Sequence, residues 1–278
     1  MLTLALLLIA ATTQSAPQTP PQPAESSDAA WTILQNGLSN KSADKRAKAT
    51  HALGLLPQNP KAQDLAEKFL VDSNADVRAE AATALGGMGA ASSQPKLEQA
   101  LKDKELKVVV AAASSLYTFK DPAAYDVYYA LLTGERKRPG FLQSQLETLK
   151  DKKQVEKFMF EAGLGFVPFG GMGVEAWEQI TRDPTTAIRA LAAEKLTADP
   201  DPKTTQALGR ACSDPKWRVR AAAVDAIAKR GDPKLLFSVS PLLYDSNDNV
   251  RFDAAATVIR LSSRPVTSTT VSRKKTGR

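Results

Sequence analysis

Between Trp31 and Ser262 the apolar residues fall at helical spacing, and the spacing recurs. Asp72-Ser73-Asn74-Ala75-Asp76-Val77-Arg78-Ala79-Glu80-Ala81-Ala82-Thr83-Ala84-Leu85 is matched by Asp214 through Ile227 and by Asp245 through Val258. In each copy a β-branched residue, an alanine, an alanine or valine and a larger aliphatic stand at i, i+4, i+5 and i+8, as in Val77, Ala81, Ala82 and Leu85. That spacing lines one face of a helix. The Asp opening each copy, with Ser or Pro after it, is suited to end one helix and cap the next. Second amphipathic stretches at 62–71, 96–102, 204–212 and 234–244 lie between the copies. Each unit therefore predicts a helical hairpin.

The charged positions keep the same phase. Aspartates stand 31 residues apart at Asp183, Asp214 and Asp245, and again at Asp72 and Asp103. Arg189, Arg220 and Arg251 share that step, Arg78 holds the matching place, and Arg46 is one residue out of step. A fixed period of this length is the sequence signature of stacked repeats, in which each hairpin buries its apolar face on its neighbours.

The D-x(4)-V-R-x-x-A-A-x-x-L pattern resembles the HEAT repeats, specifically the short-repeat branch that includes the phycobilisome lyases. The resemblance implies an all-α, right-handed α-solenoid of about six hairpins. It also implies an Asp–Arg ladder between neighbouring repeats, built from Asp72, Arg78, Asp183, Arg189, Asp214, Arg220, Asp245 and Arg251. Asp183, Asp214 and Asp245 are expected to pair with Arg189, Arg220 and Arg251, as structural residues. The third copy reads Lys107-Val108-Val109-Val110 where the Arg belongs, so the ladder is expected to have a gap there.

The period fails between Thr133 and Gly173. Arg78 and Arg189 are 111 residues apart, where three steps would give 93 and four would give 124. Residues 158–174 (FMFEAGLGFVPFGGMGV) are apolar but contain five glycines and one proline, so they cannot form one regular helix. The stretch is too short and too interrupted to span a bilayer. It reads as an insert at the middle of the solenoid, separating an N-terminal stack from a C-terminal one. Its Phe158, Phe160, Phe166, Phe169 and Met172 either fold back on the core or form a partner-binding tip.

The ends of the chain add an address and a charge. Leu2 to Ala10 is an unbroken apolar run followed by small polar residues through Ala16, the pattern of an export signal, although no Lys or Arg precedes it. The net charge of +7 sits mostly in the last 16 residues, which hold five bases and no acid and leave 32 bases against 30 acids elsewhere. A near-neutral body argues against a cationic groove for nucleic acid. The basic tail invites weak contact with anionic surfaces.

Candidate chemistry is sparse. One histidine, His51, and one cysteine, Cys212, exclude most zinc, haem and nonhaem iron sites. The HEAT-fold deoxyhypusine hydroxylases need several His–Glu pairs around iron, which one histidine does not supply. The glycines at 163, 165, 170, 171 and 173 lead into no Lys-Ser/Thr, so no phosphate loop is read. Trp177 and Trp217 stand at repeat positions where core packing is the expectation. No catalytic, metal or cofactor-binding residue is assigned.

The organisation read from sequence is thus a signal at 1–16 and a Pro/Ser-rich linker at 17–28. N-terminal repeats at 29–134, an irregular insert at 135–174, C-terminal repeats at 175–262 and a basic tail at 263–278 follow. The expected role is a bacterial, periplasmic or secreted, non-enzymatic scaffold that binds another protein on its concave face, with no transmembrane span. A lyase- or chaperone-like helper and a HEAT-like DNA glycosylase are the alternatives.

Overall fold

Each repeat carries its own start signal, and the computed structural model shows how it works over the residues it describes, 23–133, 184–199 and 201–263. The Oδ1 atoms of Asp72, Asp103, Asp214 and Asp245 each accept the amide two residues on, at 2.8–2.9 Å. The aspartate therefore makes the turn that leads into a helix and is not itself the cap. Asn74 caps the next helix by accepting from Asp76 and Val77, and Asn247 does the same for Asn249 and Val250. Such caps satisfy amides that the first helical turn leaves unpaired. Left-handed residues follow three of the helices, at Gly89 (φ 73°), Lys120 (φ 60°) and Gly231 (φ 63°).

The helices are α1 (Pro23–Leu38), α2 (Ala43–Leu53), α3 (Pro60–Phe69), α4 (Ala75–Gly87), α5 (Gln94–Ala100), α6 (Leu106–Thr118) and α7 (Pro122–Thr133). After 183 come α8 (Pro184–Lys195), α9 (Pro202–Ala211), α10 (Trp217–Arg230), α11 (Leu236–Val239) and α12 (Asp248–Ser262). No strand occurs among the described residues, and the chain is an α-solenoid. Two layers form. The second helix of each hairpin stands in one row and the first helices pack outside it, with aliphatic side chains such as Leu34, Leu53, Leu85, Leu116, Ile227 and Leu261 fully buried between.

The order of that row is not the order of the sequence. Second-layer neighbours run α8, α10, α12, α2, α4, α6, so the C-terminal helix α12 packs on α1 and α2 at the front of the N-terminal stack. The two stacks are joined at this seam. Phe252 of α12 is 3% exposed, and a Cβ placed on Gly37 of α1 would lie 2.5 Å from its Cε1 and 2.7 Å from the Cβ of Ala49. Only a glycine lets the two helices meet there. Arg260 closes the far end of the seam by donating to the carbonyl oxygen of Leu55, at 3.3 Å.

Three expectations change accordingly. The stacks meet directly through α12, α1 and α2, so no insert separates them. Helices α7 and α8, which flank residues 134–183 in sequence, lie at opposite ends of the row. Residues 23–28, read as linker, are the start of α1, with Pro23 at its first position and Ser26 only 6% exposed. The stretch 234–244 is not one helix. Pro241 cannot donate a helical hydrogen bond, and the chain passes from a 3₁₀ turn through α11 into a second 3₁₀ segment at Ser240–Tyr244. The export signal, the insert with Phe158, Phe160, Phe166, Phe169 and Met172, Trp177, Asp183 and the basic tail from Arg264 lie outside the described residues.

Candidate functional site

The repeat arginines are occupied by the fold. Arg46 binds Asp72 through Nε and Nη2, both at 2.9 Å; Arg78 binds Asp103 at 2.6 and 2.8 Å; Arg220 binds Asp245 at 2.6 and 2.9 Å. Arg189 pairs with Asp214. The third nitrogen is used as well: Nη1 of Arg46, Arg78, Arg220 and Arg251 donates to the main-chain carbonyl oxygen six residues back. One guanidinium thus clamps its own turn and the carboxylate of the next repeat. The register corrects the sequence expectation, since Arg220 takes the carboxylate of Asp245 and only the carbonyl of Asp214.

Electrostatics follow the geometry. Hydrogen bonds from Arg46 hold the Asp72 carboxyl below its usual range. Burial alone would raise Asp103 and Asp245, but the bonds from Arg78 and Arg220 outweigh it and both carboxyls are lowered. The ladder stops in two places. Val109 fills the arginine position of α6 and is fully buried. At the seam the aspartate position is Asn40, whose Oδ1 still accepts from the Ser42 amide at 2.9 Å, while Arg251 turns to Asp248 of its own helix.

What the ladder and core leave over lies on the outward face of the second-helix row. Positions two and five residues after the arginine face out along most of the row, although Ala256 of α12 is fully buried. They hold Asp225 of α10, Asp253 of α12, Lys48 and His51 of α2 and Glu80 of α4, from four consecutive helices of the row. His51 Nδ1 lies 2.8 Å from Glu80 Oε2. The charge of Glu80, aided by Asp253 and Asp225, raises the imidazole to about 9 despite its desolvation. Desolvation pushes the Asp253 carboxyl up to about 7; His51 opposes the rise, and Asp225 and Glu80 add to it. The side chains of His51 and Glu80 are still 43% and 28% accessible. Water therefore screens the pair, whose net contribution is about 1 kcal/mol or less.

Other candidates are structural. Cys212 is 3% exposed, and burial pushes its thiol up to about 12, which keeps it protonated and unreactive. Trp217 is partly buried against the core with Arg218 over its ring at 4.8 Å. On the outer layer Glu67 accepts from Gln63, Ser93 and Lys96, which ties α3 to α5. Among the described residues no group of three or more His, Cys, Asp or Glu side chains is placed to hold a metal ion.

Comparison with known proteins agrees with this construction. The model for HEAT repeats matches residues 31–117, 62–138 and 174–260. The chain belongs to the HEAT-repeat family. Among curated proteins, none matches it. Among solved structures it is similar to human deoxyhypusine hydroxylase in complex with glycerol, at 18% identity and TM-score 0.33, over 87% of this chain and 98% of that one. The complex of CpcE and CpcF of phycocyanin lyase from Nostoc sp. PCC7120 is similar at 18% identity and TM-score 0.32, over 90% and 100%. A designed armadillo repeat protein is similar at 15% identity and TM-score 0.25, over 83% and 98%. Scores this low carry no functional argument. The ladder residues of this HEAT solenoid keep phase along the sequence, whereas the His51 cluster does not, because its members stand 29 to 202 residues from the histidine.

Proposed function

We propose that the chain is an exported, non-enzymatic scaffold that binds another protein on the outward face of its second-helix row. One observation carries this: the ladder and core use the repeat positions that keep phase, while the outward positions two and five residues after the arginine carry unrelated side chains. His51, Thr83, Ser114 and Asp225 all stand at the second of these positions. A solenoid offers such a row as an extended concave surface. Among the described residues, no helix is long and apolar enough to cross a membrane. Export rests on the Leu2–Ala10 run and on the small polar residues after it.

The test compares capture from a bacterial envelope fraction by three forms of the chain. Thr83→Arg with Ser114→Arg alters two exposed positions of the row, and Glu98→Arg alters the exposed outer face of α5. A protein retained by wild type and Glu98→Arg but lost from the double variant supports the reading; loss from neither or from both overturns it. Intact mass of the same preparation reports on export, with cleavage after Ser15 or Ala16 expected.

A further inference from the structure

The outer layer repeats as the inner row does, and one unit of it departs from the rest. Eight, four and one residues before the aspartate that opens an inner turn, or before Asn40 in the case of α1, the chain faces solvent. On the two sides of α11 these places hold Gln206, Arg210 and Ser213 after α9 begins, and Thr32, Asn36 and Ser39 along α1, all exposed. In the unit between them they hold Phe237, Pro241 and Tyr244, with Phe237 78% and Tyr244 83% exposed. Pro241 and Tyr244 stand three apart in a 3₁₀ segment, where such residues lie one above the other. The opposite side of the same stretch is buried on α12 through Leu235, Val239, Leu242 and Leu243. Two aromatic rings and a proline thus form an apolar stripe that the core does not use, in a layer that is polar on both sides of it.

Charge and size say what such a stripe fits. None of the six flanking positions carries an acid. Of the acids at the ends of the stretch, Asp245 is taken by Arg220, and Asp232 stands beside the exposed Lys234. The chain after α12 holds five bases and no acid, and α12 is the hairpin partner of α11, so those bases start beside the stripe. Aromatic side chains cover about 150–250 Å² each, so the stripe offers about 400 Å². That is about half of the 800 Å² per partner that a stable protein–protein contact buries, which argues against a second copy of the chain. An anionic bilayer asks for less area, because apolar insertion and headgroup attraction add, and either signal alone holds only weakly.

We propose that Phe237, Pro241 and Tyr244, together with the basic residues after α12, form a docking face for an anionic lipid surface. The rings enter the headgroup boundary, where aromatic side chains with one polar end settle, and Arg273, Lys274 and Lys275 meet the phosphates. This face belongs to the outer layer, so it is independent of the second-helix row and leaves that row open to a protein.

The full chain and vesicles test it, read by co-sedimentation. Wild type should bind vesicles of phosphatidylglycerol and phosphatidylcholine but not phosphatidylcholine alone, and raising salt from about 0.05 M to about 0.5 M should release it. Phe237→Ser with Tyr244→Ser should weaken binding about tenfold or more, since two inserted rings are lost. Arg273→Gln with Lys274→Gln and Lys275→Gln should weaken it about as much and remove most of the salt dependence. Val71 is the control: it is 84% exposed at the place that Tyr244 holds in its own unit, but Asp64 and Lys68 stand at the other two places, and Val71→Ser should bind as wild type. Equal melting temperatures show that the variants keep the fold. No binding of wild type to the anionic vesicles, equal binding to phosphatidylcholine alone, or undiminished binding by the aromatic variant overturns the proposal. So does a dimer of the free chain that the aromatic variant dissociates, which would assign the stripe to a second copy.

Discussion

An ordinary step of this solenoid, α2 to α4, and the seam step, α12 to α2, do the same packing job with different means. In the ordinary step Arg46 and Asp72 form a two-bonded pair 26 residues apart, with a second clamp on the preceding turn. In the seam step the arginine and the asparagine at the matching places do not pair, and the helices are held by Phe252 against Gly37 and by Arg260 on the Leu55 carbonyl. The first device is local and recurs with the repeat. The second joins parts of the chain about 200 residues apart and occurs once. A stack grows by repetition, but closing one stack onto another takes residues that break the repeat.

The largest expected effect separates the two kinds of step. Arg78 is 7% exposed and binds Asp103 with two bonds. Removing one partner of such a buried pair strands the other, and Arg78→Ala should cost about 3 kcal/mol. Arg251→Ala, which removes a shorter-range pair with Asp248 at a more open site, should cost about 1 kcal/mol or less. Denaturant melts of both variants check this; equal losses would mean that the ladder is not what distinguishes the ordinary step. Acid should act on the same pairs. The carboxyls of Asp72, Asp103 and Asp245 are lowered from 3.8, so their contribution is present above that pH and is lost as pH falls below it.

A middle-sized effect belongs to the seam. In a helix, Gly→Ala ordinarily gains up to about 1 kcal/mol. At Gly37 the added methyl would meet the Phe252 ring at 2.5 Å and Ala49 at 2.7 Å. Overpacking of this kind costs about 1–3 kcal/mol, so Gly37→Ala should destabilise the chain despite its better helix propensity. Paired with Phe252→Leu, which clears the ring, it should recover part of the loss. A stabilised single variant would show that α1 and α12 do not meet as described.

This contrast also accounts for what the sequence could tell. The hairpins were legible because Val77, Ala81, Ala82 and Leu85 repeat with their charged neighbours in phase. The pairing register was not, because phase alone cannot distinguish Arg220 reaching forward to Asp245 from Arg220 reaching back to Asp214. The start of α1 at Pro23 was hidden by a composition of Pro, Ser and Glu that suits a linker as well as a helix start. The order of the row was hidden more deeply, since nothing local to Phe252 names Gly37 as its contact. Nothing in the sequence named a partner for His51, because Glu80 stands 29 residues away and meets it only when α4 packs on α2.

The smallest expected effect asks whether the seam is a repeat step with one residue changed. Asn40 keeps the turn geometry of the ladder aspartates: its Oδ1 accepts from Ser42 at 2.9 Å, as Asp72 accepts from Asn74 at 2.8 Å. Its carbonyl oxygen also takes Nη1 of Arg46 at 3.0 Å, as that of Asp72 takes Arg78. Arg251 keeps the other half of the device, with Nη1 on the Asp245 carbonyl. Asn40→Asp supplies the missing charge where the row would place it, and it removes no existing hydrogen bond from the turn. If α12 stands to α2 as α2 stands to α4, Arg251 should leave Asp248 for the new carboxylate. The gain should be modest, about 0.5–1 kcal/mol, because the exchanged partner was already an acid. It should appear as a higher melting temperature. No gain in melting temperature would mean that the seam spacing differs from the ladder spacing, and that its helices are held by the Phe252 contact and the Arg260 bond to Leu55 without a latent rung.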